Sequence, residues 1–179
     1  MKGDATTPFE LLQEIDRQCR QGARGLPTGA KVEEDWVGIG FMLGGKRLVA
    51  KMSDVAEIIS PPKTIRVPGV REWVQGLANV RGTLLPILDM TLYLQQQFNG
   101  PEEQSRVLVI NKQNVIAGLK VQEVFGLRRF KNDSRTTEVA EAMGTMQPYL
   151  DGAFNEGALQ WNVFSIEKLV SHEPFLKVV

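Results

Sequence analysis

Val74-Gln75-Gly76-Leu77-Ala78-Asn79-Val80-Arg81-Gly82-Thr83-Leu84-Leu85-Pro86-Ile87-Leu88-Asp89 sets two apolar segments on either side of a polar turn. The turn centres on Asn79 to Gly82, because Asn and Gly tolerate the positive φ that tight turns demand. The segment therefore reads as a β-hairpin. Arg81 is the odd residue in it. A guanidinium is always charged and offers five fixed donors. Beside a turn and between apolar strand faces, one role open to it is an ion pair with a carboxylate on the chain's own surface.

The same style continues in both directions. Upstream, Trp36 to Leu43 alternates imperfectly and meets Gly44-Gly45, a two-residue hairpin signal. Asp54 to Ile59 reads as a short segment opening with a helical turn, ended by Pro61-Pro62. Downstream, Thr91 to Phe98 suits neither period cleanly and is open to a helix. Asn99-Gly100-Pro101 is a strong break. Arg106 to Ile110, a turn within Asn111 to Asn114, and Val115 to Leu119 repeat the hairpin pattern. Val121 to Leu127, Tyr149 to Phe154 and Trp161 to Phe164 add strands, with a short helix over Ser165 to Val170. Asp133 to Met146 is polar and is expected to be a mobile loop carrying at most one helical turn. Many short strands, glycine-rich turns and few helices predict a mainly β protein of small barrels.

Ahead of the strands, Thr7 suits an N-cap, Pro8 the first helical position, and Glu10 a capping box. Phe9, Leu12, Ile15 and Cys19 share one face, and Gly22 and Gly25 end the helix. This amphipathic helix either docks on the protein's own body or serves a partner. The expected division is 1–33 as helix and flexible linker, then 34–179 as the main domain. Within the latter, subdomains at about 35–98 and 103–156 precede a C-terminal strand and helix at about 157–172.

Composition removes several classes of function. The 21 basic and 21 acidic residues cancel, so the general attraction to phosphate that a nucleic-acid binder needs is missing. The run Arg128, Arg129, Lys131 and Arg135 is broken by Asp133 and reads as a solvated loop. A small-barrel nucleic-acid binder would interleave exposed aromatics with basic residues, whereas here the aromatics are scattered. With one cysteine, Cys19, and one histidine, His172, there is neither an intrachain disulfide nor a zinc site. No apolar run reaches the ~20 residues a bilayer requires, and the opening residues lack the apolar core of a secretion signal. A cytoplasmic location is expected.

No catalytic constellation is found either. Gly38-Ile39-Gly40 lacks the third glycine and following helix of a phosphate loop, and Gly44-Gly45-Lys46 is a hairpin turn. No Gly-x-Ser-x-Gly elbow occurs. Asp89 lacks a second carboxylate and suits a helix N-cap. The chain reads as a non-enzyme with no cofactor and no metal.

Gly76-x-x-Asn79-Val80-Arg81-Gly82, followed by Leu85-Pro86-Ile87-Leu88-Asp89, resembles the signature of CheW-like domains, the adaptors of bacterial chemosensory arrays. Phe41 to Ala50, Val55 to Ile59, Ile65 to Val70, Arg106 to Ile110, Val115 to Val124, Tyr149 to Phe154 and Glu167 to Val170 continue the resemblance in order, from about Asp35 to about Val170. The resemblance implies two five-stranded SH3-like barrels side by side with an N-terminal helical extension. It implies an apolar groove that takes the cytoplasmic tip of a chemoreceptor, lined by Val55, Gly76, Asn79, Val80 and Arg81. It also implies binding to the regulatory domain of a CheA-like histidine kinase, ring or array assembly, and recruitment to membrane receptor arrays. A decoy or spacer that binds receptors without kinase control is the alternative within the family. Lys120 and Gln122 stand where the family usually has an apolar residue and an aspartate, Ser165 where an acid is common, and Met90-Thr91 where Leu-Arg is usual. With the long N-terminal helix, these departures resemble the branch that serves type IV pilus twitching.

Overall fold

The computed structural model describes residues 8–22, 35–97, 100–139 and 141–177. They belong to two compact units, Met1–Glu33 and Glu34–Val179. The first contains α1, Pro8–Gly22, which begins on the expected proline. Its Phe9, Leu12 and Ile15 are exposed, and Arg17 pairs with Glu14 at 2.9 Å. The expected cap at Thr7, the stop at Gly25, and the side chains of Glu10 and Cys19 lie outside the described residues.

In the second unit, β1 (Trp36–Leu43) and β2 (Lys46–Lys51) form the first hairpin. A 3-10 turn over Met52–Asp54 leads into β3 (Val55–Ile59), so the expected helical turn lies one step earlier and Val55 is a strand residue. Next come β4 (Val74–Val80), β5 (Thr83–Asp89) and the one-turn helix α2 (Met90–Tyr93). Asp89 caps α2 by accepting from the backbone N–H of Thr91 and Leu92 at 3.0 and 3.2 Å. Phe98, the last residue of the ambiguous segment, and Asn99 of the expected break are outside the described residues. Then follow β6 (Arg106–Lys112), β7 (Val115–Val121), β8 (Glu123–Phe130), β9 (Arg135–Thr136), β10 (Leu150–Glu156), β11 (Leu159–Phe164), α3 (Ile166–Ser171) and α4 (Glu173–Leu176).

These strands make a six-stranded sheet in the order β8-β1-β2-β11-β10-β9 and a five-stranded sheet in the order β3-β6-β7-β5-β4. The first therefore exceeds the expected five by the two-residue β9. With the short β9 set aside, each sheet joins two hairpins through one parallel pair, β2 with β11 and β5 with β7, and adds one further strand outside, β8 in the first and β3 in the second. In chain order the first sheet runs hairpin, extra strand, hairpin, while the second runs extra strand, hairpin, hairpin. The two sheets share one wiring, circularly permuted and interleaved. Strands before and after residue 100 consequently occur in both sheets, so sheet membership does not follow the expected halves at 35–98 and 103–156. The hairpins are local and leave a sequence signal, whereas the parallel pairs are long-range contacts that periodicity does not encode.

Neighbouring residues on one strand feed different cores, as the period of two requires. Leu48 and Ala50, Leu108 and Ile110, and Leu88 belong to a large core that draws on both sheets. Their neighbours Val107, Val109 and Ile87 fill a small core inside the second sheet, with Ala78 and Leu85. Val49 joins Phe130, Phe154, Trp161 and Val163 inside the first. The second sheet curls until its edges meet, because Ile59 of β3 and Val80 of β4 pack on the same small core.

The expected mobile loop at Asp133 to Met146 is instead structured. It runs through a 3-10 turn over Asn132–Ser134, then β9, then a 3-10 helix over Glu141–Tyr149. Met143, Met146 and Tyr149 recur every third residue, which is one face at three residues per turn, and all three are buried in the large core.

Candidate functional site

The turn between β4 and β5 is the two residues Arg81 and Gly82, with φ of 51° and 87°. Both are positive, which is the type I′ geometry that matches strand twist. The residue that accepts the unusual backbone is thus Arg81 rather than Asn79. Asn79 remains in β4, and its Oδ1 accepts the Gly82 N–H at 2.8 Å, closing the turn from the side.

Arg81 points its guanidinium at Glu57 of β3, with Nη2 to Oε1 at 2.7 Å. The own-surface ion pair open to it in the sequence is therefore made. Its side chain is nonetheless 80% exposed, against 27% for Glu57, so most of the donor fork faces solvent. The pair bridges the two edge strands of the second sheet, and so places the Arg81 turn beside the strand that begins with Val55.

Val55 is half-buried against the large core and Val80 is half-buried against the small one. Gly76 is buried, at a bulge in β4, with φ of 138°. A Cβ there would lie 2.3 Å from the Ile65 carbonyl oxygen. The cause is an isolated bridge between Ile65 and Leu77, hydrogen-bonded in both directions at 2.8 and 2.9 Å. The structure thus brings Asn79, Val80 and Arg81 together at the turn, with Glu57 of β3 against Arg81, whereas Val55 at the start of β3 packs on the large core and Gly76 lies beneath the Ile65 backbone.

Sequence reasoning missed what surrounds the turn. Leu77 pairs with Pro86 and Asn79 with Leu84 in register, so these four share the outer face of the hairpin. Ile65 extends that row through its bridge to Leu77. Ile65 is 75% exposed and Leu84 66%. An aliphatic strip therefore leads to the guanidinium. Its signal was the conflict between Leu84 and its neighbour Leu85: a run of apolar residues in a hairpin strand must send alternate members outward. Glu57 was legible as a lone charge in Val55-Ala56-Glu57-Ile58-Ile59.

Asp54, the residue before Val55, sits among charged side chains. A cavity of about 240 Å³ there is lined in part by Lys51, Asp54, Lys112 and Glu167. Lys112 Nζ lies 2.9 Å from buried Asp54 and 3.7 Å from Glu167. The Asp54 hydrogen bond holds the Lys112 ammonium above its usual pKa. The two family departures on β7 and after it also have partners. Buried Lys120 reaches Asp89 at 3.5 Å and bonds the Glu102 carboxylate, while buried Gln122 accepts from the Gly45 N–H and donates to the Gln97 carbonyl.

Among the described residues no helix is long and apolar enough to cross a membrane, and no group of His, Cys, Asp or Glu is arranged to hold a metal ion.

The model of the CheW-like domain matches residues 37–174. Protein PilI of Pseudomonas aeruginosa is 42% identical over 175 residues, covering 98% of each chain. The chemotaxis protein CheW of Klebsiella aerogenes is 26% identical over 157 residues, covering 86% of this chain and 95% of that one. Among solved structures, the scaffolding protein TtCheW from Thermoanaerobacter tengcongensis superposes with a TM-score of 0.65 at 18% identity, over 74% of this chain and 90% of that one. That likeness carries the fold, and the sequence matches carry the family: the chain belongs to the CheW-like domain family.

Proposed function

We propose that this protein is a non-enzymatic adaptor of a bacterial chemosensory array, coupling a chemoreceptor to a CheA-like histidine kinase in control of type IV pilus twitching. It works in the cytoplasm, recruited to receptor arrays at the membrane. The receptor's helical tip binds along the β4–β5 hairpin, with Arg81 at its centre, Asn79 and Val80 beside it, and Val55 at the start of β3. Gly76 contributes by letting the hairpin backbone pass under Ile65. The kinase's regulatory domain binds elsewhere on the same chain, so that receptor state is passed on through geometry.

The observation that carries this reading is an aliphatic strip ending in a guanidinium that is 80% exposed although already paired. The apolar face of a helix covers such a strip, and a carboxylate or C-terminal carbonyl on that helix takes the free donors. An exposed ion pair contributes about 0–1 kcal/mol, so Arg81 exchanges Glu57 for a partner's acceptor at little cost.

The test is a charge swap read by pull-down with receptor and kinase probed separately. Arg81→Glu sets two carboxylates face to face and is expected to lose the receptor by tenfold or more while keeping the kinase. Adding Glu57→Arg restores the internal pair with its sign reversed, and is expected to leave receptor binding lost. Recovery of binding in the double variant would reduce the pair to a structural one, and wild type binding neither partner would end the adaptor reading.

A further inference from the structure

A second recognition feature lies at the opposite end of β4 from Arg81. Trp73, just before the strand, forms the floor of a cavity of about 390 Å³ together with Tyr93 of α2. The two rings meet edge to face at 5.0 Å, and Trp73 also stacks on buried Phe175 of α4 at 6.1 Å. The floor is held before any ligand arrives. The Trp73 carbonyl accepts the Asp89 N–H at 2.7 Å, and the Tyr93 hydroxyl is bonded to Tyr149 at 2.9 Å. Leu92, more than half exposed, and Pro174 supply an aliphatic rim.

The polar side chains at the mouth set the sign of what fits. Among the described residues the Arg71 guanidinium has no ion pair or hydrogen bond, and it lines both this cavity and a neighbouring one that Arg66 shares. Lys177 is the other cation, and Glu173 takes it at 2.5 Å. Gln95 lines the same mouth with φ of 50°, a conformation that non-glycine residues avoid unless their surroundings impose it. An unpaired guanidinium lining a cavity that also has an aromatic floor calls for a carboxylate beside an apolar side chain. Exposed walls of this kind enclose too little to retain a free metabolite, which a built pocket covers by 70–90%. They suit a side chain presented on a longer chain.

We propose that this cavity is a docking site for a short acidic-apolar segment of a partner protein, whose aromatic or aliphatic side chain rests on Trp73 and Tyr93 and whose neighbouring carboxylate pairs with Arg71. The seven residues of β4 separate it from the Arg81 turn by roughly 20 Å, so both surfaces can be occupied at once. The site stands apart from the receptor-binding reading and does not depend on it.

The experiment titrates acetyl-Gly-Asp-Phe-Glu-Gly-amide into the full chain and follows the Trp73 indole N–H by NMR, assigned by its loss in Trp73→Phe. The expected result is a saturable shift of that signal. Binding should weaken at least fivefold for the Asn/Gln form of the peptide, for the form with Ala in place of Phe, and in Arg71→Glu. Arg71→Glu should retain receptor binding in the pull-down, which separates this outcome from failure of the adaptor reading. A stationary Trp73 signal at millimolar peptide, less than fivefold discrimination by charge, or binding of free benzoate as tight as the peptide would each overturn the proposal.

Discussion

A left-handed backbone at a non-glycine residue costs roughly 1–2 kcal/mol, and Arg81 bears that cost at the tip of the β4–β5 hairpin. Asn-Gly is the favoured pair for this turn, so Arg-Gly keeps a guanidinium where stability alone would not place one. Arg81→Asn relieves the strain and gives up an exposed ion pair worth at most about 1 kcal/mol. A net gain of about 0.5 kcal/mol is expected in urea unfolding, together with loss of receptor binding. A destabilised variant would show that Glu57, rather than the backbone, dominates at this position. Gly76 is the opposite case. Its φ of 138° and the Ile65 oxygen over its α-carbon leave no room for a methyl group. Gly76→Ala is expected to cost about 2–4 kcal/mol in thermal or urea unfolding through strain and overpacking. Any binding it loses should then follow the unfolded fraction. Both glycines of the signature were legible in the sequence. The outward Leu84 and the bridge that covers Gly76 were not, because the first needs the strand phase and the second a contact eleven residues away.

At the scale of elements, hairpins were read well and the 3-10 helix over Glu141–Tyr149 was not. Hairpin turns announce themselves through Gly44-Gly45 and the Asn-containing turn at Gln113 and Asn114, whose φ values are all positive. The 3-10 helix hides its apolar residues among Glu, Gly, Thr and Gln at a spacing of three, which fits neither the 3.6 nor the 2.0 template. One face of it is nevertheless buried: Met146 has no exposed surface and sits in the core shared by both sheets. Met146→Ala should therefore cost about 2–5 kcal/mol, the range for emptying a closed core site. A cost below 1 kcal/mol in urea unfolding would mean that the segment yields and that the sequence reading of a mobile loop was the better one. Asp89 shows the reverse economy, since an acid after an apolar strand predicted a helix cap and proved to be one.

At the scale of the second unit, its middle and its C-terminal end are tied together by aromatic rings. Tyr93 of α2, Tyr149 at the end of the 3-10 helix and His172 between α3 and α4 share hydrogen bonds: Tyr93 Oη to Tyr149 Oη at 2.9 Å, and His172 Nδ1 to Tyr149 and Tyr93 at 2.8 and 3.1 Å. None of these contacts could be read from a chain in which the three residues stand up to 79 positions apart. The parallel pairing of β11 with β2 is another such long-range contact. Burial, reinforced by the Tyr149 hydroxyl, pushes the Tyr93 phenol well above its ordinary value of 10. The neutral phenol is thus favoured by the fold. Below pH ~10 both folded and unfolded chains keep this proton, and its contribution to stability is complete. Above pH ~10 the unfolded chain releases the proton first, so stability falls as pH rises toward the folded value. Urea midpoints should accordingly be level from pH 8 to 9.5 and drop above 10, and Tyr93→Phe should lower the plateau while making the alkaline drop shallower. An equally steep drop in Tyr93→Phe would assign the alkaline loss to other groups, the lysine ion pairs of Asp54 and Asp151 first among them.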